Sequence, residues 1–69
     1  MNYEAVFAKG SEAKVRYLDA DYQIIQQGDY VLCAQTGQPI DLANLRYWSV
    51  DRQEAYSTAQ AGMRRLEEI

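Results

Sequence analysis

The chain contains no histidine and a single cysteine, Cys33. An intrachain disulfide is therefore excluded, as is a structural zinc site that one chain fills with Cys and His ligands. Every mechanism that needs an imidazole base is excluded with them. One proline and four glycines leave few breakers, and no low-complexity or repeated segment is present. The purely apolar runs, Ala5–Ala8 and Tyr30–Ala34, are far too short for a membrane span of about 20 residues. The start, Met1-Asn2-Tyr3-Glu4, has neither the basic residues nor the apolar core of a signal peptide. These absences imply a cytoplasmic protein with no membrane contact. At this size a secreted protein would normally need several disulfides.

Positive charge is also scarce. Seven Lys and Arg stand against ten Asp and Glu, for a net charge of −3. A dedicated phosphate-backbone binder carries the opposite balance, so nucleic acid is disfavoured as a partner. No phosphate loop, dinucleotide glycine motif or nucleophile elbow occurs. The chain's 69 residues make one domain. A domain of this size hides only about 60% of its unfolded surface, which leaves little room for an enclosed pocket beside a core. The sequence implies no enzyme and no cofactor.

What is present is an apolar fraction of 48%, ordinary for a globular fold. Residues 1–12 show weak periodicity and a Gly10-Ser11 break, and read as a weakly ordered arm in which Val6 and Phe7 can dock. Residues 13–69 read as a single β-rich domain. Ala13, Val15 and Tyr17 alternate with Lys14 and Arg16, the period of a half-buried strand. Asp19-Ala20-Asp21 is turn-like, and Tyr22–Ile25 returns as a strand. Gln27-Gly28-Asp29 makes the next turn. Tyr30–Ala34, apolar on both faces, predicts a central strand covered on both sides. Gln35–Pro39 is a turn, and Asp41–Asn44 suits a single helical turn capped by Asp41. Leu45–Val50 reads as strand. Residues 50–56 suit either a hairpin through Asp51-Arg52 or a helix.

Near the C-terminus, Ser57-Thr58-Ala59-Gln60 has the form of a capping box with Ser57 as the cap. A helix over about 58–68 follows. Its apolar stripe, Ala59, Gly62, Met63, Leu66 and Ile69, is expected to lie on the sheet, with Gly62 permitting a close approach. The sum is a small α+β fold: an antiparallel β-meander of four to six short strands closed by one C-terminal helix.

Two blocks carry a resemblance. Cys33-x-x-Thr36-Gly37-x-Pro39-Ile40 and Leu45-Arg46-Tyr47-Trp48-Ser49-Val50, with Arg52-Gln53-Glu54-Ala55-Tyr56 behind it, resemble a family of short bacterial proteins known only as a domain of unknown function. The resemblance covers roughly residues 13–65. The family pattern favours an aliphatic residue at Gln35, a basic one at Gln38 and a proline at Asp41. The resemblance implies a small cytoplasmic bacterial domain and brings no activity or ligand with it.

Three sets of residues are candidates for chemistry. Cys33-Ala34-Gln35-Thr36-Gly37 has the shape of a zinc knuckle with threonine in place of the second thiolate. Thiol or metal chemistry there is set against a plain buried Cys33, whose pKa its apolar neighbours would raise. Asp19, Asp21 and Asp29 are accounted for by turn chemistry. Arg16, Arg46, Tyr47 and Arg52 form the candidate interaction surface, with Trp48 assignable to core or surface. Six tyrosines and one tryptophan are too many for so small a core, so some must face outward as anchors. The leading expectation is a non-catalytic protein-interaction module that binds a partner protein or itself. The alternative is a small nucleic-acid-associated protein using the same basic-aromatic patch.

Overall fold

A computed structural model describes residues 10–67. The expected arm, residues 1–12, lies mostly outside the described residues. Among the described residues six short strands appear in order: β1 (Lys14–Tyr17), β2 (Tyr22–Gln26), β3 (Tyr30–Leu32), β4 (Pro39–Asp41), β5 (Tyr47–Ser49) and β6 (Glu54–Tyr56). A 3-10 turn, Leu42–Asn44, follows β4, and one helix, α1 (Ala59–Glu67), closes the fold. The strands pair as three antiparallel hairpins, β1–β2, β3–β4 and β5–β6. The small α+β fold expected from the sequence is thus the fold observed.

The hairpins are stitched together by single parallel bridges, Glu12 to Tyr30 and Cys33 to Ala55. The Ala13 amide donates to the Tyr30 carbonyl at 2.7 Å, and the Ala34 amide to the Ala55 carbonyl at 2.9 Å. Ala13, Tyr17, Val31, Cys33, Ile40, Leu45, Ala55, Tyr56 and Ala61 form the core between them. The alternation read in β1 holds: Ala13 and Tyr17 are buried while Lys14 and Arg16 face solvent.

Three local expectations are corrected and one open choice is decided. Tyr30–Ala34 is not a central strand covered on both faces. β3 ends at Leu32, which is 44% exposed, and Cys33 opens the turn to β4 while its amide still donates to the Gln38 carbonyl at 2.9 Å. Of the two readings of residues 50–56, the hairpin is the one formed. Residues 50–53 form a four-residue turn, closed by Gln53 at φ 54°, and β6 follows. Asp41 precedes the 3-10 turn without capping it through its side chain. The cap of α1 is Thr58 and not Ser57: Thr58 Oγ1 accepts the Ala61 amide at 3.0 Å. The Ser57 amide, just before it, donates to the Cys33 sulfur at 3.3 Å.

The helix also meets the hairpin at a different angle from the one its stripe suggests. A Cβ on Gly62 would stand 2.9 Å from Tyr56 Cδ2, so Gly62 rests on the Tyr56 ring. Arg65 reaches Glu54 of β6 with two hydrogen bonds, Nε at 3.1 Å and Nη2 at 2.9 Å. These contacts turn Ala61, Gly62 and Arg65 inward. Met63 and Leu66 are left 62% and 50% exposed, where the sequence pattern placed them on the sheet. Ile69 lies outside the described residues.

Candidate functional site

The site is assembled by Trp48. Its Nε1–H donates to the Leu18 carbonyl at 2.7 Å. Its ring stacks on Tyr17 and meets Tyr22 edge-on, both with centroids 5.9 Å apart. Trp48 is half-buried and packs against the core, which settles its role: it pins the β1–β2 hairpin to β5. Because the turn after Leu18 is held there, Asp19 arrives beside Arg46 and Tyr47. Together with α1 they enclose an open groove of about 370 Å³. Trp48, Tyr56 and Gly62 are also among its lining residues, and Met63 and Leu66 join it from the helix.

Tyr47 and Tyr56 are direct partners across β5–β6 and therefore share a face. Tyr56 lies under Gly62 and is 3% exposed, whereas Tyr47 lies beyond the helix and is 43% exposed. Burial and the neighbouring Glu54 carboxylate together raise the Tyr56 hydroxyl pKa. Tyr47 is the one tyrosine among the described residues that the fold leaves largely uncovered. Arg46 and Asp19 are exposed and have no ion-pair partner among the described residues. Among the described residues they are also the only charged side chains in the groove's lining.

The four residues singled out from the sequence are therefore divided. Arg46 and Tyr47 share the groove. Arg16 stands on the exposed face of β1, outside it. Arg52 is half-buried and its Nε donates to Glu54 Oε1 at 3.3 Å, so it is engaged within the fold. Glu54 gathers Arg52, Arg65 and the Tyr56 hydroxyl. The hydrogen bonds from Arg65, aided by Tyr56 and by both guanidinium charges, outweigh desolvation and hold its carboxyl at about 2.

Gln53 was not marked by the sequence reading. Its side-chain amide copies a strand partner for Tyr17: Oε1 accepts the Tyr17 amide at 2.9 Å and Nε2 donates to the Tyr17 carbonyl at 2.9 Å. Nε2 also donates to Val50 O at 2.7 Å, which closes the turn in which Gln53 holds a positive φ. A polar residue at the end of a β-turn gives no sequence signal for such a reach across 36 positions.

Cys33 is corrected in its chemistry. It is 2% exposed, as a buried residue should be. The knuckle-like turn is formed, with Gly37 N–H donating to the Cys33 carbonyl at 2.8 Å. The sulfur accepts the Thr36 amide at 3.4 Å and the Ser57 amide at 3.3 Å. Burial pushes the thiol up, but hydrogen bonds from the side chains and amides of Thr36 and Ser57 outweigh it and bring the pKa down to about 6. The expectation of a raised pKa fails because these donors converge from two separate elements. The sulfur joins the β3–β4 turn to the start of α1. Among the described residues no three His, Cys, Asp or Glu side chains gather as a metal set.

A second open cleft, of about 460 Å³, has Ile25, Leu32, Gln53 and Glu54 among its lining residues. Ile25 and Leu32 are exposed.

The family model for uncharacterised proteins conserved in bacteria, DUF2093, matches residues 24–65. The chain belongs to this family. The matched segment runs from β2 into α1 and holds the Cys33 turn, Trp48, Gln53, Glu54 and most of the groove. β1 and Asp19 fall outside it. No curated protein and no solved structure matches the chain. No helix among the described residues is long and apolar enough to cross a membrane.

Proposed function

We propose that the protein is a non-catalytic, cytoplasmic interaction module that grips another polypeptide in the groove between β5 and α1. The observation that carries this reading is the exposure of Tyr47, Met63 and Leu66 in one groove with Arg46, which has no ion-pair partner among the described residues. Tyrosine and arginine are the usual anchors of protein interfaces, and methionine adapts to varied partners. Elsewhere the polar groups are satisfied: among the described residues no buried side-chain nitrogen or oxygen lacks a hydrogen-bond partner. Glu54 and Cys33, the two groups with the most displaced titration, both spend their hydrogen-bonding capacity inside the fold. They act as fasteners in this reading.

The basic-aromatic patch that would favour nucleic acid is reduced by the same geometry. Arg52 and Arg65 both bind Glu54, which leaves Arg46 as the groove's cation. The test is affinity capture from the native cytoplasm with the wild-type chain and with Tyr47→Ala. Recovery of a protein by the wild type and its loss from the variant supports the proposal. Tight binding of single-stranded RNA at low salt, abolished by Arg46→Ala, would replace it.

A further inference from the structure

We infer that the occupant of the groove is a second copy of this chain, paired about a two-fold axis. The inference rests on the groove being a protein-binding surface, as proposed above. A two-fold interface uses one patch twice, so the patch must complement itself. A patch with charge of a single sign repels its own copy. This groove instead carries one acid and one base, Asp19 and Arg46, neither of them in an ion pair among the described residues. The same groove is lined by the apolar Tyr47, Met63 and Leu66, each at least 43% exposed.

Rotating one copy onto the other sets each Arg46 against the partner's Asp19 and lays the two apolar linings together. The chain as a whole is net −3, so two copies repel over most of their surfaces. Pairing is favoured where the local charge balances, and the groove is such a place. Burial of Met63 and Leu66 in this way completes what α1 leaves undone. Its stripe is apolar at Ala59, Gly62, Met63 and Leu66, yet the hairpin covers only the part around Gly62.

The experiment is sedimentation of the full chain, wild type and two charge reversals, Arg46→Glu and Asp19→Lys. Both sites are exposed, so the variants should keep the wild-type circular dichroism and melt as dilute, monomeric wild type does. The wild type is expected to dimerise with a dissociation constant below about 100 μM. Each reversal turns two attractive pairs into two repulsive ones and should weaken the dimer by more than about tenfold. An equimolar mixture of the two variants restores both attractions, and a heterodimer should form. A wild type that stays monomeric, or a mixture that fails to pair after each variant has lost its dimer, overturns the inference. A monomer whose Tyr47 still captures a different protein sinks self-pairing alone. A monomer that captures nothing through Tyr47 sinks the broader reading as well.

Discussion

Two junctions of α1 differ sharply in how their side chains are used. At its N-terminal end, Thr58 caps the helix, and the Ser57 amide just before it is tied to Cys33. Along its body, Arg65 grips Glu54 with two hydrogen bonds. On its other flank Met63 and Leu66 meet solvent, and Arg46 and Asp19 stand near them with no ion-pair partner among the described residues. One side of the helix is fully used to hold the molecule together. The other is apolar and charged without internal employment, and that difference separates what stabilises the fold from what is free to bind.

The largest effect belongs to the residue that builds both sides. Trp48→Ala removes the ring between Tyr17 and Tyr22 and the bond to Leu18, and should destabilise the fold by about 3–5 kcal/mol in chemical unfolding. A loss under about 1 kcal/mol would mean the β1–β2 hairpin is not held by Trp48.

Next comes the sulfur. Cys33→Ala strands the amides of Thr36 and Ser57 and should cost about 1–3 kcal/mol. The wild-type thiol, lowered from 9.0 to about 6, also gives a signature in pH. A depressed pKa means that the folded state favours the thiolate. The contribution is therefore complete above pH 9, and is lost as pH falls toward 6. Wild-type stability should carry this slope over that window, and Cys33→Ala should flatten it. Ultraviolet absorbance of the thiolate should titrate near pH 6, while alkylation in the native state stays slow because the sulfur is buried.

Glu54 gives the smaller stabilising term. Its carboxyl is lowered from 4.5 to about 2, so its contribution is whole above pH 4.5 and fades as pH falls to about 2. Solvent screening of the half-exposed arginines keeps that contribution to about 1–2 kcal/mol. Glu54→Gln should lower stability by this amount at neutral pH and remove the acid-side slope. An unchanged slope would show that Arg65 does not hold the helix to β6 through this carboxylate.

The sequence showed one of these junctions better than the other. Hydrophobic periodicity sufficed for β1, for the antiparallel arrangement and for α1 to within a residue or two at either end. The close seat of Gly62 followed from a glycine standing in an apolar stripe. Periodicity could not show how far the helix would rotate about that seat, because rotation is set by Arg65 reaching Glu54 eleven residues away. The exposed flank was therefore hidden, although Arg46 and Tyr47 within it were marked by residue type alone. Arg52 was marked for the same reason and belongs to the fold, since type does not reveal a carboxylate neighbour. Cys33 was read from its apolar neighbours in sequence. Its amide donors come from Thr36 and, after a long excursion through two hairpins, from Ser57.

The proposal assigns the Tyr47 flank to binding, with little contribution to folding beyond its cross-strand contact with Tyr56. Tyr47→Ala, followed by chemical unfolding and sedimentation on the same sample, tests it most directly. The expected outcome is unfolding within about 1 kcal/mol of monomeric wild type together with loss of association. A variant that unfolds readily, or one that associates as the wild type does, would contradict it.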